Sequence, residues 1–284
     1  MGLIVLAACC SVLVSVLLKV LKSKGFEPLQ LIVWNYVSAS LLCFLWFQPD
    51  IAHLSLQQHT PWWLIILLAM ALPSVFLLLA KSLQHAGIVK TELAQRLSVV
   101  LSLLAAFFIF HEAMSTYKVL GMGLGLIAVA LIVMSKTEHV SVNHRKAWSG
   151  LVGVWAGYAL IDILLKYTSS LGLKLPMTLN LVFILAFVFS FVYVYVFAKQ
   201  NMQIKNVLGG LLLGGFNFAN IALYVQAHVL LKDSPAIVFA GMNLLVVVFG
   251  VLSGMIIFKE RTDWKAVLGL ILGVLGILCL AKAM

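Results

Sequence analysis

The stretch FIFHEAMSTYKVLGMGLGLIAVALIVMSK at residues 108–136 returns near the C-terminus as IIFKERTDWKAVLGLILGVLGILCLAK at residues 256–282. In both copies an apolar run ends, a short polar turn holds a glutamate, and a second apolar run follows. The glutamates, Glu112 and Glu260, are 148 positions apart. The same offset joins Phe110 to Phe258, Gly121 to Gly269 and Gly125 to Gly273. This recurrence indicates that a unit of about half the chain has been duplicated.

The composition is that of a membrane protein. Of the 284 residues, 63% are hydrophobic and only 10% are charged, and the mean hydropathy is +1.13. These values exclude a water-soluble globule. The net charge of +10 therefore indicates basic cytoplasmic loops and not a nucleic-acid-binding patch. All four cysteines lie in apolar runs, so neither a disulfide nor a cysteine-ligated zinc site is expected, and no cofactor is expected.

Ten apolar segments are long enough to cross a bilayer as helices, since a span needs about 17–25 residues. They cover approximately residues 2–20, 29–47, 62–81, 88–110, 117–135, 149–168, 176–198, 206–228, 235–258 and 264–282. The predicted fold class is an all-α integral membrane protein. The longest polar linker, residues 136–148, divides it into five-helix repeats at residues 1–140 and 141–284. An odd number of spans per repeat inverts the second repeat relative to the first, as in many secondary transporters.

Lysine and arginine are distributed unequally between the two faces of the predicted bundle. Thirteen lie in or beside the loops that follow odd-numbered spans, which we call the basic face, against four or five on the opposite face. Because basic residues favour the cytoplasmic side, this bias predicts that both termini lie outside the cytoplasm.

The two phenylalanine–glutamate turns, each followed by a glycine-containing helix, resemble the drug/metabolite transporter superfamily, in particular its ten-helix EamA-type members. The resemblance implies a carrier of the inner or plasma membrane that moves small metabolites by alternating access. Family members are commonly drawn with cytoplasmic termini, whereas the charge count predicts the opposite orientation. The small multidrug members carry a proton-coupling glutamate eight residues before a lysine. Here Ser11 and Tyr158 stand eight residues before Lys19 and Lys166, so that carboxylate is absent.

Few ionisable residues lie within the predicted spans, where each costs roughly 2.5–3.5 kcal/mol and normally faces protein or water. Glu92 and Arg96 are four residues apart in the fourth span, which favours pairing on one helix face. Asp162 and Lys166 repeat this spacing in the sixth. Either the pairs neutralise each other for packing, or they open on binding, with Arg96 as an anion-binding residue and Glu92 and Asp162 in coupling or gating. Lys19 and Lys166 are substrate-binding candidates or, alternatively, extend to the membrane surface.

Uncharged polar residues form the second candidate set for substrate binding. Asn217 and Asn220 lie at the centre of the eighth span, where an amide must find a hydrogen-bond partner. Asn35, Trp155 and Tyr158 complete the set. These side chains either line a substrate cavity or join neighbouring helices.

The duplicated motif is assigned a structural role. Glu112 and Glu260 end helices at the surface and are interpreted as turn or gate residues. The pairs Gly121/Gly125 and Gly269/Gly273 present small faces for close helix packing, or for contact between two copies in a homodimer.

The sequence lacks the motifs of an intramembrane enzyme, so no catalytic activity is expected. We expect a secondary transporter of a small metabolite in the cell membrane, acting as a monomer or homodimer. The buried set Lys19, Glu92, Arg96, Asp162 and Lys166 sums to +1, so a carboxylate or phosphate on the substrate would relieve the unpaired cation. A lipid flippase of the same fold is the alternative function.

Overall fold

A computed structural model describes residues 1–49, 61–110, 115–135, 144–233, 235–261 and 263–283, and among these the side chains of residues 106, 109, 110 and 144 are not described. Glu112 and residues 136–143 of the central linker lie outside the described residues. The helices are α1 (Gly2–Ser23), α2 (Pro28–Phe47), α3 (Trp62–His85), α4 (Ile88–Arg96), α5 (Ser98–Phe110), α6 (Thr116–Met134), α7 (His144–Ser170), α8 (Leu175–Phe191), α9 (Ile204–Leu230), α10 (Pro235–Ile256) and α11 (Trp264–Lys282). A π-helical segment, Val192–Phe197, continues α8.

The predicted all-α membrane fold is confirmed, with one difference in the fourth span. Nine of the described helices are long and apolar enough to cross a membrane, counting α8 with its π-helical continuation as one. The remaining predicted span, residues 88–110, consists of two helices, because α4 ends at Arg96 and α5 begins at Ser98. The protein is therefore an integral membrane protein of ten spans, one of which is broken.

Contacts between the two halves are reciprocal. Helix α1 packs against α9 and α10, and its counterpart α7 packs against α3 and against α4 and α5. Likewise α2 packs against α8 and α9, while α8 packs against α2 and α3. These contacts of the first half are thus returned by the corresponding helices of the second, the relation that an inverted duplication produces.

The last spans of the two halves, α6 and α11, approach each other through glycines. A Cβ atom at Gly121 would lie 2.9 Å from the carbonyl oxygen of Gly276, and one at Gly269 would lie 3.0 Å from that of Ala128. Side chains at these positions would push the two helices apart. The duplicated glycines thus serve packing within the chain. The other two glycines of the motif, Gly125 and Gly273, face side chains of the fourth span.

Candidate functional site

A cavity of about 160 Å³ lies between the two halves, surrounded by the central turns of six spans and by the end of α4. Leu72, Val75, Phe76 and Leu79 of α3 form much of its apolar wall. Both halves contribute polar side chains to it: Ser11, Ser15, Tyr36 and Gln95 from the first half, and Tyr158, Asn217 and Asn220 from the second. A polar cavity at the interface of inverted repeats is where transporters of this architecture bind their substrates.

Two serines of α1 connect this cavity to charged side chains of α4. The hydroxyl of Ser15 donates a hydrogen bond to Glu92, and Nη2 of Arg96 donates one to Oγ of Ser11 at 2.6 Å. Both pairs are four residues apart, so the helices meet at two successive turns. Glu92 is only 1% exposed and Arg96 is half-buried. The two charged groups therefore lie one hydrogen bond behind the cavity wall.

Within the described part of the chain, Glu92 and Arg96 form no ion pair with each other. Oε2 of Glu92 and Nε of Arg96 are buried and have no hydrogen-bond partner among the described residues. Leaving a buried polar atom unpaired costs about 1–3 kcal/mol, and more for a charged group. One unused acceptor and one unused donor of opposite charge thus flank the cavity.

The asparagines predicted for substrate binding lie close together, but only two of them line the cavity. Asn217 and Asn220 line the cavity, and Nδ2 of Asn217 donates to Oδ1 of Asn35 at 3.1 Å. Asn35 is fully buried behind Asn217 and orients its amide. Oδ1 of Asn220 is buried and unpartnered among the described residues, so it is free to accept a hydrogen bond from a ligand.

The two aromatic candidates of the sixth span have different roles. Tyr158 lines the cavity, whereas Nε1 of Trp155 donates to the backbone carbonyl of Leu97 at 3.0 Å, at the break between α4 and α5. The same carbonyl accepts a hydrogen bond from the backbone N–H of Val100 at 3.1 Å, so Trp155 supplies its second hydrogen bond. The hydroxyl of Ser98 donates a hydrogen bond to the carbonyl of Gln95 at 2.7 Å. At a rise of about 1.5 Å per residue, the break lies about 14 Å into a hydrocarbon core about 30 Å thick.

Replacing Trp155 with phenylalanine is expected to destabilise the protein by about 0.5–1.5 kcal/mol, because one hydrogen bond to the carbonyl of Leu97 is lost while the ring is largely kept and the N–H of Val100 still donates to that carbonyl. Thermal unfolding in detergent measures this change. Trp264→Phe is the matched control, since Trp264 is 68% exposed. Equal stabilities of the two variants would contradict the assigned role of Trp155 at the break.

Lys19 and Glu260 form an ion pair that links α1 to the start of α4. The distance from Nζ to Oε1 is 2.5 Å, and the two side chains are only 15% and 13% exposed. The same carboxylate accepts hydrogen bonds from the backbone amides of Ile88 at 2.8 Å and Val89 at 3.2 Å. It therefore caps the first turn of α4, where the helix dipole favours a negative charge. The ring of Phe258 lies 4.4 Å from Nζ of Lys19.

Two sequence-based expectations are refined by this ion pair. Glu260 points into the protein instead of ending a helix at its surface, and Lys19 contacts Glu260 instead of the cavity. The predicted sum of +1 did not include Glu260, which compensates Lys19. Near the cavity, Arg96 interacts electrostatically with Glu92 and with Asp162, whose carboxylate is exposed and accepts a hydrogen bond from Ser102 at 3.3 Å. Asp162 does not line the cavity, and the predicted set with Glu260 added carries a formal charge of 0.

Four polar residues of the cavity were not among the predicted site residues: Ser11, Ser15, Tyr36 and Gln95. Ser11 and Ser15 could have been predicted from the sequence, because their four-residue spacing in the first span matches that of Glu92 and Arg96 in the fourth. Tyr36 and Gln95 had no comparable signal, since single polar residues in a span also occur in helix contacts.

The similarity of this chain to known proteins covers both halves. A sequence model of the EamA-like transporter family matches residues 1–134, which correspond to the first five spans. An uncharacterised protein of Haemophilus influenzae is 38% identical over 283 residues, which make up 98% of this chain and 96% of that protein. The second match covers all ten spans of this chain.

Proposed function

The chain belongs to the EamA-like transporter family, and from this premise we propose that it is a secondary transporter of a small zwitterionic metabolite that works by alternating access. The cavity between the halves is the proposed substrate site. The observation that supports the substrate class is the pair of unused buried atoms beside it, Nε of Arg96 and Oε2 of Glu92.

The charges around the cavity favour a substrate with groups of both signs. The planar guanidinium of Arg96 is suited to a carboxylate, which it can hold through two hydrogen bonds. Glu92 is suited to a protonated amine. A purely anionic substrate would meet the carboxylate of Glu92, and a purely cationic one would meet Arg96. The serines of α1 then rotate from their present partners to the substrate.

The size of the cavity limits the substrate in this conformation. A cavity of about 150 Å³ in another protein accepts benzene, which has six non-hydrogen atoms. The cavity here, of about 160 Å³, thus fits a molecule of similar size. A small α-amino acid has this size and carries both charged groups on one carbon.

Flux measurements in liposomes test the proposal. Purified protein in proteoliposomes should transport labelled alanine, and should transport propionate and ethylamine at least about tenfold more slowly, since each lacks one charge-assisted hydrogen bond. Equal rates for all three would refute the zwitterionic substrate. Scrambling of labelled lipid without flux of any of these solutes would instead indicate a flippase.

We further propose that the ion pair between Lys19 and Glu260 closes the pathway on the basic face. Glu260→Gln keeps an acceptor for the amides of α4 but leaves Lys19 without a counter-charge. Removing one partner of a buried pair costs about 3–5 kcal/mol, and partial exposure reduces that figure here. We expect a lower midpoint of thermal unfolding and a loss of coupled flux.

The double variant Lys19→Met/Glu260→Gln separates the two effects. It removes both charges, so the stability should largely return while coupled flux stays low. Wild-type flux in the double variant would show that the pair is needed for stability alone.

The orientation in the membrane is a separate proposal from the distribution of basic residues. A cysteine placed in the linker at residues 136–148 should be shielded from impermeant thiol reagents in intact cells, because this linker lies on the basic face and hence in the cytoplasm. A cysteine at residues 50–60 should react. Labelling in the opposite pattern would place both termini in the cytoplasm.

A further inference from the structure

A second pocket, larger than the proposed substrate cavity, lies away from it on the basic face. It has a volume of about 600 Å³ and is bounded by the ends of α1 and α3 and by the starts of α2 and α7. Lys22, Lys81 and Lys146 line it together with His85. Among the described residues, none of the three lysines has an acidic partner within ion-pair distance. Glu27 reduces the formal charge of the wall to +2 with neutral histidine.

An apolar groove adjoins this basic pocket on the outside of the bundle. It has a volume of about 530 Å³ and runs between α3 and α8, with Met70 and Pro73 on one side and Phe189 and Tyr193 on the other. The pocket and the groove share three lining residues: Leu29, Leu77 and Leu78. They therefore form one continuous concave surface, charged at one end and apolar at the other.

The length of this surface matches one leaflet of a bilayer. Lys81 and Met70 are eleven residues apart on α3, which corresponds to about 16 Å along a helix. Half of a hydrocarbon core is about 15 Å thick. The lysines thus lie at the depth of lipid headgroups while the groove follows the acyl chains.

We propose that this surface is a binding site for an anionic phospholipid of the leaflet on the basic face. The lysines attract the net negative headgroup, as basic pockets between transmembrane helices do. One acyl chain lies in the groove. Because the site joins α2 and α3 of the first half to α7 and α8 of the second, the bound lipid holds the two halves together. This inference is independent of the transported substrate.

Lipid titrations of the detergent-purified protein test the proposal. Dioleoyl phosphatidylglycerol should raise the midpoint of thermal unfolding, and dioleoyl phosphatidylcholine should not, because only the former has a net negative headgroup. The triple variant K22Q/K81Q/K146Q should need at least about tenfold more phosphatidylglycerol for the same shift. The matched variant K174Q/K232Q/K282Q removes three lysines from the opposite face and should respond like the wild type.

The wild-type protein alone gives a second readout that does not depend on the folding of variants. Dihexanoyl phosphatidylglycerol and glycerol 1-phosphate should stabilise it much less than the long-chain lipid, because they cannot fill the groove. Equal stabilisation by glycerol 1-phosphate would indicate a soluble phosphate site and overturn the proposal. Equal effects of the two headgroups, or equal losses in both triple variants, would overturn it as well.

Discussion

Replacing Arg96 with lysine should reduce transport about 10- to 100-fold, although the positive charge is kept. Arg96 donates to Ser11 through Nη2 and keeps Nε unused, and only a guanidinium presents two such donors in one plane. The loss of one charge-assisted hydrogen bond, worth about 1.5–3 kcal/mol, accounts for this factor. Initial rates of substrate uptake in proteoliposomes measure it. The exposed Arg145 provides the matched control, and Arg145→Lys should transport normally.

The double variant Arg96→Gln/Glu92→Gln distinguishes binding from packing. It removes a positive and a negative charge together, so insertion and stability should be close to those of the wild type. Transport should nevertheless be lost, because neither charged group of the substrate retains its counterpart. If the double variant transports as well as the wild type, the two residues are structural and the substrate is recognised elsewhere.

Asn217→Leu and Asn220→Leu should each lower transport at least about tenfold while expression and folding remain largely intact. Leucine has a similar size and is well tolerated in a membrane span, but the substitution removes a polar group from the cavity wall. The effect of Asn217→Leu extends to Asn35, whose Oδ1 loses its donor. Uptake rates normalised to the amount of folded protein give the comparison.

Asn243→Leu is the matched control for these amides. Asn243 donates to the carbonyl of Phe239 in its own helix, at 2.8 Å, and lies outside the cavity. This variant should transport at a rate near that of the wild type. Wild-type flux in both Asn217→Leu and Asn220→Leu would show that these amides only join helices.

The spans and the duplication were predictable because they depend on local properties of the sequence. Hydrophobic length defines a membrane helix, and a constant offset between Glu112 and Glu260 reveals the repeat. The break in the fourth span was not predictable, since residues 88–110 contain neither proline nor glycine. One of its carbonyl groups accepts a hydrogen bond from Trp155, which lies 58 residues away in the sequence. Only the folded arrangement brings these groups together.

The candidate site was predictable in part for the same reason. Arg96, Asn217 and Asn220 were found because polar groups are conspicuous in apolar spans, whereas the partner of Lys19 is 241 residues away and was missed. The duplicated position eight residues before a lysine was noted only for its missing carboxylate. Its two occupants, Ser11 and Tyr158, both line the cavity. The inverted repeat therefore brings equivalent positions of the two halves to the wall of the same cavity.

The close contact of α6 with α11 determines how the two halves can move. Where Gly121 meets Gly276 and Gly269 meets Ala128, backbone atoms of the two helices lie close together, and the side chains of Leu280 and Ile132 pack against the two glycines. Sliding or separation of this pair would lose this close packing, so we expect the pair to act as a fixed pivot. Rotation about this pivot moves helices away from it, such as α2, which packs against α3, α8 and α9, through larger arcs than the helices beside it, such as α4 and α10. Distances between α6 and α11 should thus stay constant throughout the transport cycle.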